Sequence, residues 1–243
     1  VTDVVPDALR RLWGLAEPSR LGRPAALDLG RIVSTAVELA DAEGLAGVTL
    51  PKVAKALGFT PMSLYRYVGS KDELLVLMTD AAVGTPPRID EPSWRDGLTQ
   101  WAFAQWQLYR RRPWLARMPL SGSPSGPNQI AWMESALAVL RDTGLDWTRK
   151  VGVLNLVGGY VRHAAVQADD LAAARVPGVD KVNAERDYGR ALAQLVDPER
   201  FPEVAKLFAS AVFEAPVETP EDNDFTIGLE FILDGIATAV AHR

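Results

Sequence analysis

The sequence predicts an all-α protein, built as a small N-terminal three-helix unit followed by a larger helical unit. Three observations carry this. Apolar residues recur at the i, i+3, i+4 spacing of helix faces through most of the chain. Helix start and stop residues stand at the ends of these periodic runs. No stretch alternates apolar and polar residues with period two for long enough to make a sheet.

Residues 1–26 read as a leader of mixed character, containing RRLW (10–13) and SRLGRP (19–24). Helical spacing begins near Leu29, with Ile32, Val33, Ala36, Val37, Leu39 and Ala40 on one side, and Gly44 is placed to cap its C-terminus. Thr49 is an N-cap for a short helix holding Val53, Ala54 and Leu57, which Gly58 breaks. Thr60 and Pro61 start the next helix, as N-cap and first helical residue. Gly69 stops it. Ser70 and Glu73 have the spacing of a capping box, and Leu74, Leu75, Leu77 and Met78 supply the apolar side of the helix they open.

VGTPPRIDEPS (83–93) is the clearest internal linker. A long helix then runs from Trp94 to Arg111 and ends before Pro113. LSGSPSGPN (120–128) is a loop, residues 129–142 a helix and TGLD (143–146) a turn. Trp147 to about Gln167, Lys181–Leu195, Phe201–Phe213 and residues 225–240 complete the helices. The expected division is residues 1–26 as leader or flexible arm, 27–82 as a helix-turn-helix DNA-binding unit, and 92–243 as a ligand-binding and dimerisation unit.

Residues 49–66 form two short helices joined by Leu57-Gly58-Phe59, with Ala54 small enough for close packing and Gly58 allowing the sharp turn. That is helix-turn-helix geometry, in which the second helix presents its N-terminal end to the major groove. Leu64 faces the core. Pro61, Met62 and Ser63 sit at the presented end, with Arg66 one turn on. Arg66 suits a guanine edge, Ser63 a polar edge, and Pro61 or Met62 a thymine methyl. Tyr65, Tyr67 and Lys71 are placed for phosphates, which fix register rather than sequence. Arg20 and Arg23 flank a glycine ahead of the first helix and suit an arm reaching the minor groove or phosphates.

The run VTLPKVAKALGFTPMSLYRYVGSKDELL (48–75) resembles the DNA-binding domain of the TetR family of bacterial transcriptional regulators. The likeness rests on Ala54, Leu57-Gly58, Leu64-Tyr65, Tyr67-Val68 and Lys71-Asp72-Leu74-Leu75. It implies backbone contacts from Thr49, Tyr65, Tyr67 and Lys71, and base contacts from Pro61, Met62, Ser63 and Arg66. One departure stands out. Pro51 occupies a position that is often basic in the family, and it brings neither charge nor donor, with Lys52 next door.

Composition sets the outer limits. With 48% apolar and 23% charged residues among 243, the chain can bury a sizeable core in one or two domains. There is no cysteine, and the two histidines, His163 and His242, lie far apart in sequence. Disulfides and Cys-based metal sites are excluded, and no metal or cofactor is implied. VGVLNLVGGYV (151–161) is too short to span a bilayer, and Val1–Leu9, with two aspartates and no basic residue, is unlike a signal peptide. A cytoplasmic protein without a membrane partner is expected. The net charge of −5 divides into −1 over residues 1–80 and −4 beyond. DNA binding needs a local basic surface rather than a basic chain, so this balance is compatible with it. No Cys nucleophile, clustered His, G-x-S-x-G or P-loop is present, which argues against an enzyme.

Six of the seven tryptophans lie beyond residue 90. Core packing accounts for most of them, yet so many wide rings in a helical unit also suit an apolar cavity with a few polar handles. Trp101, Trp106, Tyr109 and Trp132 are the expected walls, with Gln105, Asn155, Tyr160 and His163 as handles. An unknown small apolar or aromatic effector is the expected occupant. The helices at 147–167 and 225–240 are more apolar than one buried face requires. Val151, Leu154, Val157, Gly158 and Val161 on the first, with Leu229, Ile232, Leu233 and Ile236 on the second, are expected to pair with a second copy in a four-helix interface. GPNQIAWMESALAVLRDTGL (126–145), GGYVRHAA (158–165) and FTIGLEFILDGI (225–236) resemble the C-terminal ligand-binding and dimerisation domain of the tetracycline repressor and its relatives. That repressor binds tetracycline with magnesium. Only His163 stands in this domain as an imidazole, so neither drug nor metal is carried over.

The resemblance implies a homodimeric repressor on double-stranded operator DNA, released when a small molecule favours a conformation that no longer fits adjacent grooves. The alternative is a regulator acting without such an effector, through a protein partner or as an activator. A filled core around Trp101, Trp106 and Trp132 would favour the alternative.

Overall fold

The computed structural model describes residues 5–15, 27–119, 122–175, 178, 180–214 and 223–242; helices joined by turns and loops make up this part of the chain, with no strand among the described residues. A short helix, α1 (Asp7–Leu12), comes first. A compact bundle follows: α2 (Leu29–Glu43), α3 (Leu50–Leu57), α4 (Pro61–Leu64) and α5 (Lys71–Val83). The larger bundle is α6 (Trp94–Arg111), α7 (Pro113–Ala116), α8 (Pro127–Val139), α9 (Trp147–Ala174), α10 (Lys181–Leu195), α11 (Pro202–Ala209) and α12 (Asn223–Ala241).

Most helix starts are set by a side chain one residue ahead. Asp28 accepts the Arg31 N–H at 2.8 Å, Thr49 the Lys52 N–H at 3.3 Å, Ser70 the Glu73 N–H at 3.1 Å and Asp146 the Arg149 N–H at 2.8 Å. Each satisfies one of the donors a helix N-terminus leaves unpaired. Between α3 and α4, Gly58 adopts φ 77° and ψ 26°, the left-handed cap that closes the sharp corner.

The core of the small bundle is Ile32, Ala36 and Ala40 of α2 against Val53 and Ala54 of α3, Leu64 of α4, Val68, and Leu74 and Met78 of α5, all at most 1% exposed. The core of the larger one joins Leu98, Trp101 and Trp106 of α6, Trp132 and Ala136 of α8, Val157 and Val161 of α9, and Phe225, Leu229 and Leu233 of α12.

Several expectations change. The leader is not wholly an arm, because residues 7–12 are helical and Leu12 packs against the core. Arg20 and Arg23 lie outside the described residues. The helix begun by Pro61 lasts one turn and tightens after Leu64, whose carbonyl accepts from both Tyr67 and Val68 at 2.8 and 3.0 Å. Thr60 sits at its N-cap position, but its hydroxyl meets Ser63 Oγ at 3.0 Å instead of a backbone N–H. The Ser70–Glu73 box is half formed: the Glu73 carboxylate turns to the Gly69 N–H at 2.9 Å. Arg112, at φ −134° and ψ 74°, ends α6, and Pro113 then opens the unexpected α7, since proline is accommodated at a first helical position. The helix at 147 continues to Ala174 through an alanine-rich tail, where propensity favours extension. The expected Phe201–Phe213 helix is α11 followed by a 3-10 turn at Ala211–Phe213.

Three contacts hold the bundles together. Asp80 of α5, 4% exposed, accepts the Gln129 N–H at 2.9 Å and the Asn128 side-chain amide at 3.2 Å, so it caps α8 from another bundle. Asp41 of α2 accepts the Trp114 indole N–H at 2.7 Å and Arg112 Nε at 3.2 Å, while Arg112 also donates to the Ala82 carbonyl at 2.9 Å. The Trp132 indole donates to the Gly84 carbonyl at 2.9 Å and pins the start of the linker.

Candidate nucleic-acid interface and ligand cleft

The α3–α4 corner sorts its side chains by burial. Leu64 and Val68 are fully buried, so the rest of this segment turns outward. Met62 is 71% and Tyr65 48% exposed, and Pro61, Arg66 and Lys71 are exposed as well. Ser63 is half-buried with its hydroxyl on Thr60. Tyr67 is half-buried and packs its ring on the core, which leaves the phenol end for outside contacts. Thr49 is half-buried, and its hydroxyl oxygen accepts the Lys52 N–H. Lys52, beside Pro51, pairs with Glu43 at 2.6 Å on the surface.

The larger bundle opens a cleft of about 470 Å³ between α6, α9 and the start of α12. Its floor is aromatic. Trp106 stacks on Phe225 with centroids 4.4 Å apart and planes within 7°, and Tyr160 stacks on the same ring at 5.6 Å and 10°. The Tyr160 hydroxyl donates to the Phe225 carbonyl at 2.9 Å, and Gly228 makes room for it, since a Cβ there would stand 2.2 Å from that oxygen. Burial pushes the Tyr109 phenol above its ordinary value near 10, against the opposing pull of Arg162, and burial with the Asp224 charge does the same to Tyr160. Both remain protonated donors at neutral pH. His163, Arg110, Arg175, Lys181 and Asp169 stand around the opening, and Pro113 of α7 forms part of the wall.

Of the eight residues expected at a pocket, Trp106, Tyr109, Tyr160 and His163 line the cleft and four do not. Trp101 and Trp132 are core: they meet edge to face at 6.3 Å, and the Trp101 indole donates to the Trp132 carbonyl at 3.0 Å. Gln105 lies against Gly158 on α9, and Asn155 is exposed away from the cleft. Trp101, Trp106 and Trp132 are at most 8% exposed, so the core around them is filled, which taken alone favours a regulator without an effector; the cleft reaches this core only at Trp106. Arg110, Pro113, Arg175 and Lys181 were missed. Arg110 stands four residues after Trp106, a same-face spacing that could have found it; the others carry no local signal. Among the described residues no group of three or more His, Asp or Glu could hold a metal.

The apolar excess of α9 and α12 resolves into two faces. Val157, Val161, Leu229 and Leu233 point into the protomer's own core and are at most 2% exposed, which removes them from the expected contact face. Ile236, 4% exposed, also packs in the core but lines the outer groove between α9 and α12. Leu154, Gly158 and Ile232 are half-buried. The outward side carries Val151 at 43%, Leu156 at 53%, Ile227 at 44% and Phe231 at 73% exposure, and Leu156 and Phe231 line a shallow groove with Gly152, Ile232 and Gly235. Among the described residues no helix is long and apolar enough to cross a membrane.

Both bundles match known sequences. Residues 32–78 match the model of bacterial regulatory proteins of the tetR family, and residues 86–240 match the tetracyclin repressor-like C-terminal domain. The chain is 35% identical over 244 residues to the HTH-type transcriptional repressor DrrR1 of Streptomyces coeruleorubidus, covering 98% of this chain and 88% of that one. Among solved structures it is similar to ActR, a TetR family protein of Streptomyces coelicolor. The complex with actinorhodin gives a TM-score of 0.73 at 26% identity, over 89% of this chain and 98% of that one. The complex with (S)-DNPA gives 0.72 at 25%, over 89% and 100%. Regulators of this kind act as dimers on operator DNA and are not enzymes. With the helix-turn-helix corner, the all-helical second bundle and both family models in agreement, the chain belongs to the TetR family of DNA-binding transcriptional repressors.

Proposed function

We propose that this repressor is a cytoplasmic homodimer whose hold on its operator is released by a planar aromatic effector bound in the α6–α9 cleft. The carrying observation is a direct mechanical path. Pro113 lines the cleft, and the residues on either side of it, Arg112 and Trp114, both grip Asp41 in the helix-turn-helix bundle. An occupant pressing on α7 therefore acts on α2 across a single hydrogen-bonded joint. The three near-parallel rings of the floor suit a flat polycyclic molecule, protonated tyrosines and nearby cations suit its ring oxygens, and the cleft has a drug-sized volume. That ActR is solved with actinorhodin supports the same class.

In this reading the segment through α5 reads DNA and the segment from α6 onward binds effector and partner. Met62, Pro61, Ser63 and Arg66 meet base edges, and Thr49, Tyr65, Tyr67 and Lys71 meet phosphates. On an operator obtained by in vitro selection, Lys71→Ala should weaken binding to all sequences alike and lower the slope of log affinity against log salt by about 0.9 per protomer, about 1.8 for the dimer. Arg66→Ala should instead cost about 1–3 kcal/mol at one base pair and relax preference there. Two variants that both bind like the parent would remove the helix-turn-helix assignment of contacts.

The test of release uses actinorhodin as probe. It should weaken operator binding of the parent about tenfold or more, in the range of ordinary allosteric coupling. Asp41→Ala should still bind operator and probe separately, with most of the coupling gone. Equal release in parent and Asp41→Ala would exclude the α7 route, and lack of binding by any flat aromatic would exclude the cleft.

A further inference from the structure

The short helix ahead of the helix-turn-helix bundle is fastened at two points that face different bundles. Arg11 Nε donates to Glu73 Oε1 at 2.5 Å, and the other oxygen of that carboxylate accepts the Gly69 N–H at 2.9 Å. The Glu73 N–H meanwhile donates to Ser70 Oγ at 3.1 Å. The corner Gly69–Lys71, between α4 and α5, is thus held through one carboxylate, and that carboxylate is itself held by Arg11. Two residues further, the Trp13 indole donates to the Ser125 carbonyl at 2.8 Å. Ser125 lies in the loop ahead of α8, where Gln129 also accepts the Ser125 N–H at 3.2 Å. Leu12, between the two fasteners, packs on the core.

A carboxylate in a completed capping box would bond to the N–H of the capping serine. Here it bonds one residue earlier, to Gly69, and a Cβ at Gly69 would stand only 3.0 Å from it. Arg11 holds the other oxygen of the same carboxylate in this off-box position. We propose that Arg11 is a positioning residue for DNA binding, setting the Gly69–Lys71 corner through Glu73, and that Trp13 ties this setting to the loop ahead of α8. The inference rests on the reading of that corner as a phosphate contact. Burial works to raise Glu73, but the hydrogen bonds from Arg11 and Gly69 outweigh it and hold the carboxyl below its ordinary value of 4.5. It is therefore ionised and paired at neutral pH.

The test is a double-mutant cycle of Arg11→Ala and Lys71→Ala on operator binding, with salt slopes, in the full chain. Arg11→Ala should weaken binding roughly three- to tenfold on all sequences, and the double variant should lose clearly less than the product of the two single losses, since each removes the same contact. Arg11→Lys, which can still donate to Glu73, should recover part of the loss. Multiplicative losses would mean that Arg11 touches DNA for itself, and an unchanged affinity would mean that the strap does nothing; either overturns the inference. If Lys71→Ala alone leaves the salt slope at the parent value, the phosphate reading fails and this inference with it. Thermal unfolding of each variant separates loss of fold from loss of positioning.

Discussion

Phe231→Glu is expected to give a folded monomer that has lost at least two orders of magnitude in operator affinity. Phe231 is 73% exposed on α12 and stands apart from the protomer's core, with Leu156 of α9 and Ile227 exposed beside it. A side chain of this kind contributes about 1.5–3 kcal/mol when fully buried, and a two-fold interface uses it twice. A glutamate in its place brings two unpaired charges to the same apolar patch. The affinity loss follows from geometry rather than from any DNA contact. A dimer holds two half-sites at once, and dividing it removes the roughly 10²–10⁴-fold gain of the linked second site. Sedimentation of the variant gives its mass, and operator titration gives the loss. Leu233→Glu is the contrast: Leu233 is 2% exposed within the protomer, so that variant should fail to fold instead of dissociating. A dimeric Phe231→Glu protein would move the interface off this face.

The same pair of helices shows where the sequence is readable and where it is not. Caps such as Thr49 and Ser70, the corner glycine Gly58 and the helix limits at Trp94 and Arg111 are local, because the partner lies within four residues. They are legible for that reason. Which apolar side of α9 and α12 faces inward is not local. Both sides are apolar, so periodicity names the helices but not the direction of Val157 against Leu156. On the helix-turn-helix corner Leu64 could be placed inward from its spacing, whereas Met62 is as apolar and yet 71% exposed, and the burial of Val68 carried no such signal. The cleft was half legible. Trp106, Tyr109, Tyr160 and His163 could be named as suitable chemistry, but Trp101 and Trp132 are the same chemistry spent on packing, each with its indole N–H on a backbone carbonyl. Glu73 illustrates the limit most directly. Its spacing from Ser70 predicts a capping box, and Arg11, 62 residues earlier in the chain, turns the carboxylate aside.

Asp80→Ala should be the most destabilising single polar substitution among the described residues, at about 3 kcal/mol. Helix α8 has no capping side chain of its own, because its N-cap is Gly126. The cap comes from Asp80 of α5, which accepts the Gln129 N–H at 2.9 Å and, at 3.4 and 3.2 Å, the backbone and side-chain N–H groups of Asn128. Removing the carboxylate strands the Gln129 and Asn128 backbone N–H groups at a buried helix end, while the Asn128 side-chain amide keeps the Asp80 carbonyl at 3.1 Å, and it withdraws a negative charge from the positive pole of the helix. Asp80→Asn should cost nearly as much. Its single oxygen can serve Gln129, but its amide then faces the donors of Asn128. Gly126 bears on the same carboxylate. Its φ of −84° and ψ of 154° suit any residue, so the constraint is space: a Cβ would stand 2.1 Å from Asp80 Oδ1. Gly126→Ala should therefore cost about 1–3 kcal/mol by forcing the carboxylate away. In the double variant Asp80→Ala/Gly126→Ala the closest clash is gone and the cap is already lost, so the total should fall short of the sum by about 1 kcal/mol. Urea midpoints read all four values, provided that the slope shows one transition. Additive losses would mean that the two positions act independently, and a neutral Asp80→Asn would mean that the joint between the bundles does not depend on a carboxylate.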